Sequence, residues 1–179
     1  AVVYFLIRQE SRDKVPELLD YWDADEARAV PIVGDLVKPL LGISKADQKK
    51  LTGKIEHFFH LAAVYDLKAD AESQVAINVE GTKNAVALAN EIKAGIFQHV
   101  SSIAAAGMYE GVFREDMFEE AEGLDHPYFA TKHESEEIAR TATRMRRWRK
   151  SSTILTALRN GASWARSNTR TRRRRKKSA

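Results

Sequence analysis

The stretch Ile96-Phe97-Gln98-His99-Val100-Ser101-Ser102 decides the fold. Its apolar and polar positions alternate enough for a half-buried or buried strand, and it ends in two hydroxyls. A glycine-containing loop follows. Asp125-His126-Pro127 then leads into Tyr128-Phe129-Ala130-Thr131-Lys132. That second piece reads as a helix start, with Asp125 as the N-cap and Pro127 in the first turn, where a missing N–H costs little. Tyr128 and Lys132 lie four residues apart and share a helix face. A hydroxyl at the end of a strand, facing a Tyr/Lys pair on a helix, is a proton-transfer arrangement. A phenol is a weak acid at neutral pH, and an ammonium one turn away stabilises its phenolate. Such a phenol can exchange a proton with a carbonyl or alcohol oxygen, while a serine hydroxyl holds the same oxygen. The pair alone is also what an ordinary helix surface carries, so the rest of the chain has to decide.

Working outward, strand and helix alternate four times. Val2 to Ile7 is an apolar, β-prone run read as a buried strand, with Arg8 at its end. Ser11 to Trp22 has helical spacing, with Pro16 tolerated near its start. Val30 to Val33 is a second strand, closed by Gly34-Asp35-Leu36. Ser44 caps a short helix in a capping-box arrangement with Asp47. Ile55 to Ala63 is a third strand. Asp70 starts a long helix to about Ala94, with Gly95 just past its end. Gly81, inside that helix, implies a close packing contact. The pattern predicts an α/β fold: βαβ units in a doubly wound parallel sheet, with ligands bound beyond the C-terminal ends of the strands. Arg8, Asp35, His60 to Ala63 and Ser102 all fall at such ends.

Composition narrows the classes. With 179 residues the chain can form one domain with a real core. It has no cysteine, which excludes disulfides and thiolate metal sites. No apolar run is long enough to span a membrane and no charged leader precedes the apolar start, so the expected location is cytoplasmic. His57 and His60, three apart on a strand, point to opposite faces, and no metal site is expected. His126 and His133 read as local polar residues or contacts of a substrate loop. The net charge of +4 hides a sharp break: all 25 acidic residues lie at or before Glu137, and 15 of the 29 Lys and Arg come after it. The expected division is therefore 1–143 and a basic tail, 144–179.

Five pieces in order carry a resemblance: Val33-Gly34-Asp35-Leu36, His60-Leu61-Ala62-Ala63, Asn78-Val79-Glu80-Gly81-Thr82-Lys83-Asn84, Val100-Ser101-Ser102 and Tyr128-x-x-x-Lys132. From Val2 to about Arg140 the chain resembles an extended short-chain dehydrogenase/reductase, with a Rossmann-like sheet. The resemblance implies an NAD(P)-dependent oxidoreductase moving a hydride to or from a carbonyl or alcohol. Ser102 would orient the substrate oxygen, with Ser101 as the competing serine. Tyr128 would be the general acid/base, and Lys132 would support its phenolate and hold the nicotinamide ribose. Arg8, standing where an acidic residue would favour NAD, implies NADP instead, with Arg12 behind it. Asp35 and Leu36 would sit by the adenine, Ala62 and Ala63 would let the backbone pass close to the cofactor, and Asn78 would help to organise the site. The Tyr-containing loop resembles the branch of fatty-acyl and thioester reductases more than that of the sugar-nucleotide epimerases, which is the alternative. A small-molecule carbonyl or alcohol is the expected partner, and a homodimer is compatible with the family.

Two departures stand out. The family's first strand and Gly-rich turn, G-x-x-G-x-x-G, would precede Val2, so the sheet is expected to be incomplete. After about Arg140 the chain turns into Arg144-Met145-Arg146-Arg147-Trp148-Arg149-Lys150 and, later, Arg170 to Lys177. That tail reads as an out-of-frame segment of a truncated fragment, poorly ordered or loosely helical. The alternative is a genuine nucleic-acid-binding tail in which Arg and Lys meet phosphates and Trp148 and Trp164 stack on bases.

Overall fold

The structure, a computed structural model, describes residues 1–64 and 70–145. The basic tail beyond Met145 lies outside the described residues. Among the described residues four strands form: β1 (Val3–Ile7), β2 (Ala29–Val33), β3 (His57–His60) and β4 (Ile96–His99). Between and after them run α1 (Val15–Tyr21), α2 (Lys45–Leu51), α3 (Ala71–Gln74), α4 (Gly81–Glu91) and α5 (Pro127–Met145). All strand pairing is parallel: β1 pairs with β2, and β3 with β4. The two pairs are not hydrogen-bonded to each other, so the expected single sheet is present as two ribbons. Pro31 marks β2 as an edge strand, since proline cannot donate to a second ladder.

Alternation assigns the faces. Tyr4 and Ile32 point to one side of the first pair, where α4 lies; Phe5, Ile7 and Ala29 point to the other, onto Val15 and Leu19 of α1. In the second pair Phe58 and Phe97 face the same core as Tyr4 and Ile32, their rings stacked at 5.4 Å. That core is organised by α4, whose Ala85, Val86, Leu88 and Ala89 are buried against residues from both strand pairs and Ala139 of α5. Polar bonds repeat the bridge: Asn84 Nδ2 donates to Leu36 O at 2.9 Å beyond β2, and Thr82 meets His60 of β3.

Several boundaries differ from the sequence reading, each for a local reason. β1 is not fully buried: Val3 is 60% exposed, because helices cover only part of its length. β3 stops at His60, and Ala62 and Ala63 lie in the segment after it. The long helix is three pieces: capped by Asp70, whose carboxylate accepts from Ser73 N, it widens into a π turn at Val75–Glu80 before α4 begins. At its far end Lys93, not Gly95, takes the left-handed conformation (φ 56°). Gly81 is not a forced close approach, since a Cβ there would meet Leu36 at an ordinary 3.5 Å. His126, rather than Asp125, caps α5: its Nδ1 accepts from Tyr128 N at 3.1 Å. The capping box holds, with Asp47 N donating to Ser44 Oγ at 3.0 Å.

Gly34 is where β2 turns under the 38–43 loop. A Cβ there would run into the Leu41 carbonyl and stand 2.7 Å from Leu6 Cδ1. Gly34→Ala should therefore lose about 1–3 kcal/mol through overpacking. Gly81→Ala, with room and helical geometry, should gain about 0.5–1 kcal/mol. Urea unfolding of the two variants checks both signs.

Candidate active site

The first turns of α5 lie against the end of β4 and the short 3-10 turn Ile103–Ala106. Three contacts fix the alignment. Lys132 Nζ donates to Val100 O at 3.5 Å, Ser101 Oγ donates to Glu136 Oε2 at 2.6 Å, and His133 Nδ1 donates to Ala105 O at 2.9 Å. The two serines therefore have different neighbours. Ser101 is tied to Glu136, whereas Ser102 caps the 3-10 turn by accepting from Ala104 N at 3.2 Å. Its hydroxyl proton is not used in that bond. Tyr128, half-buried, sits in the first turn of α5, one turn before Lys132.

Lys132 is only 3% exposed. Burial pushes its ammonium below the usual lysine range, and the Glu136 carboxylate opposes that. Behind it runs a chain of buried polar groups. Asn78, 1% exposed in the π turn, accepts from Val64 N at 2.8 Å and donates from Nδ2 to Val64 O and to Thr131 Oγ1. Thr131 in turn donates to Tyr128 O at 3.1 Å. Thr82 donates its one hydroxyl proton to Asn78 O at 2.6 Å, so His60 Nε2, 2.9 Å from the same oxygen, must be the donor there. His60 stacks on His99, ring centroids 5.4 Å apart and inclined by 27°, continuing the Phe58–Phe97 stack. Both ring nitrogens of His99 are buried with no hydrogen-bond partner among the described residues. Burial, then the nearby Lys132 charge, lowers His60 to about 4; burial, His60 and Lys132 lower His99 to about 3.

The remaining residues singled out from the sequence fall into two groups. Arg8 follows β1 and stands beside the end of β2, where Gly34 N donates to Ile7 O at 2.8 Å. Its guanidinium is exposed, and among the described residues it meets Glu10 at 3.6 Å. Asp35 accepts from Val37 N at 3.1 Å, and its own N–H donates to Leu41 O at 2.7 Å. Leu36 is held by Asn84. Ala62, exposed, and Ala63, half-buried, follow β3 and lie on the side of Ser102 and Lys132. The structure thus brings Ser102, Tyr128, Lys132 and Asn78 to one strand-end region; α4 links it to Arg8, Asp35 and Leu36 at the ends of the other pair.

The sequence reading did not single out His99, Thr82, Thr131, Glu136 or Phe118. Glu136 was detectable as the next residue on the Tyr128/Lys132 face, four positions on. Phe118 lies flat on His133 at 4.2 Å, and Arg140 lies 4.8 Å over its ring, pinning the loop between β4 and α5 onto the helix. His57 is exposed and His60 buried, on opposite faces of β3.

An NAD-binding family model described as "Male sterility protein" matches residues 1–165. The chain belongs to this family. The match continues past Arg140, where the sequence reading ended the resemblance. Within curated proteins, a linear gramicidin synthase of Brevibacillus parabrevis is 28% identical over 155 residues, covering 79% of this chain and 3% of that protein. Fatty acyl-CoA reductase 1 of Xenopus laevis is 30% identical over 117 residues, covering 58% of this chain and 23% of that protein. Among solved structures, the terminal R domain of the myxalamid PKS-NRPS biosynthetic pathway superposes with a TM-score of 0.66 at 29% identity, covering 80% of this chain and 39% of that one. This chain therefore spans well under half of each of these relatives. As a member of the male sterility protein family it has the Rossmann-like NAD(P)-binding fold, here in two parallel strand pairs.

The buried histidines make the family member's stability pH-dependent. The unfolded chain takes up protons at His60 and His99 below pH 6.5, whereas the fold accepts them only near 4 and 3. Stability is full above 6.5 and falls as pH drops toward 4. Thermal unfolding between pH 7 and 4 should show that slope, and it should be shallower in His99→Phe, which keeps a flat ring and loses one titrating group.

Proposed function

We propose that the chain carries the Tyr/Lys proton-transfer site of an NADP-dependent reductase acting on a carbonyl of an acyl or lipid-like substrate. One observation supports this above the others. Tyr128 and buried Lys132 begin a helix that is hydrogen-bonded to the strand end bearing Ser101 and Ser102, with Asn78 and Thr131 connecting the same helix to the π turn. Ser102, whose hydroxyl proton is free to be donated, holds the carbonyl oxygen. Tyr128 gives that oxygen a proton as the carbonyl is reduced, and the Lys132 ammonium stabilises the phenolate left behind.

The residues present suit a nicotinamide nucleotide. Lys132 makes one long hydrogen bond from three donors, which leaves N–H groups for ribose hydroxyls. Ala62 offers a small side chain beyond β3. Arg8, exposed at the end of β1 beside Glu10, suits a 2′-phosphate, and Asp35 and Leu36 would border the adenine. The cofactor, when bound, supplies the hydride. The acyl reading draws on the Xenopus relative, whose name is that of a fatty acyl-CoA reductase.

Titrating the full chain with NADPH and NADH by nicotinamide fluorescence tests the cofactor. NADPH should bind more tightly, and Arg8→Ala should weaken NADPH while sparing NADH; equal affinities would remove the NADP assignment. Turnover of a long-chain acyl-CoA or aldehyde with NADPH should fall about 10²–10⁴-fold in Tyr128→Phe with cofactor binding kept. Undiminished turnover in that variant would refute the role of Tyr128.

A further inference from the structure

Tyr128, Lys132, Glu136 and Arg140 recur at every fourth position of α5, so they form one stripe along the helix. The two middle members end on consecutive residues of the facing strand end: Lys132 on the Val100 carbonyl, Glu136 on the Ser101 hydroxyl. They do not touch as an ion pair. The other oxygen of Glu136 holds Arg140, with Nη2 at 2.7 Å and Nε at 2.8 Å. The groups around Lys132 are otherwise poor company for a charge. His60 comes from β3 and His99 from β4, both kept uncharged by burial and by the Lys132 charge, and Tyr128 precedes it on its own helix. Among the described residues Glu136 is the one carboxylate that acts on it.

We propose that Glu136 is the counter-charge of the Lys132 ammonium and, through Ser101, the clamp that keeps the end of β4 in register with α5. It is a positioning residue, and its importance rests on the reading of Lys132 as the partner of Tyr128. A buried ammonium with no counter-charge sheds its proton, and an uncharged lysine cannot stabilise a phenolate. Arg140 draws on the same carboxylate, so it weakens what Glu136 delivers to Lys132. The stripe is then a graded arrangement: Arg140 sets how much negative charge Glu136 presents, and Glu136 sets the charge on Lys132.

The test follows the Lys132 side-chain signal against pH by NMR in the full chain labelled with ¹³C-lysine, the signal being assigned by its loss in Lys132→Met. Glu136→Gln keeps the shape and can still accept from Ser101; it should move the Lys132 titration to lower pH. Arg140→Gln should move it to higher pH. A purely structural Glu136 would alter stability in these variants without shifting the titration in opposite directions. An unmoved titration in Glu136→Gln overturns the proposal, and so does a downward move in Arg140→Gln. Should Glu136→Gln fail to fold, Arg140→Gln decides alone: an upward move supports the counter-charge, and no move or a downward one refutes it. The readout needs no turnover. A chain inactive toward acyl-CoA would thus count against the proposed reaction and leave the Glu136–Lys132 coupling to stand or fall by itself.

Discussion

The hydrogen bond from His60 to the Thr82 hydroxyl is the contact on which the arrangement depends. α4 is the element common to both strand pairs, and to the apolar core it shares with each it adds one polar bond, from Asn84 beyond β2 and through Thr82 to β3. Thr82 can serve because it spends its proton on the Asn78 carbonyl at the preceding turn, leaving an acceptor for the ring. Removing the hydroxyl would leave a buried N–H unpaired, which costs more than the bond itself contributes. The same bond fixes which nitrogen of His60 carries hydrogen, and so fixes the ring on which His99 lies.

From there the site follows by proximity. Residues 100–105 run alongside α5, and each contact places a different kind of group: an ammonium on a carbonyl, a hydroxyl on a carboxylate, an imidazole on a carbonyl. The buried charge of Lys132 is the costly component. It is tolerated because its surroundings are neutral rather than cationic and because one carboxylate lies within electrostatic reach. Two stacked histidines beside a lysine make sense only if they stay uncharged, which burial enforces.

The alternation of strand and helix was legible because parallel strands and their crossover helices leave strong periodic marks. So were the Ser44 cap, which depends on Asp47 three residues on, and Asp70 as the start of a helix. The shared face of Tyr128 and Lys132 needed nothing beyond helical spacing. What stayed hidden depends on long-range pairing. His99 fills a core-facing slot beside Phe97, and only the register that sets His60 opposite His99 gives it meaning. Ser101 and Glu136 are 35 residues apart, so the bond that sets two adjacent serines apart leaves no local pattern. The π turn at Val75–Glu80 was missed because its sequence is compatible with an ordinary helix; the wider turn goes with an Asn78 side chain bonded across to Val64 and Thr131. Lys93 displaced Gly95 as the left-handed residue, and there the backbone bond from Ala94 N to Ala89 O outweighs the preference for glycine.

Among the described residues neither ribbon pairs with a further strand, and Phe59, 57% exposed, stands on the open face of the second. Free strand edges beside bare aromatic rings invite other chains to add to them. Colloidal behaviour therefore follows from topology here. The net charge of +4 supplies mutual repulsion between copies, which salt screens. Added salt thus favours self-association without touching the histidine-lined interior, whereas acid acts on that interior.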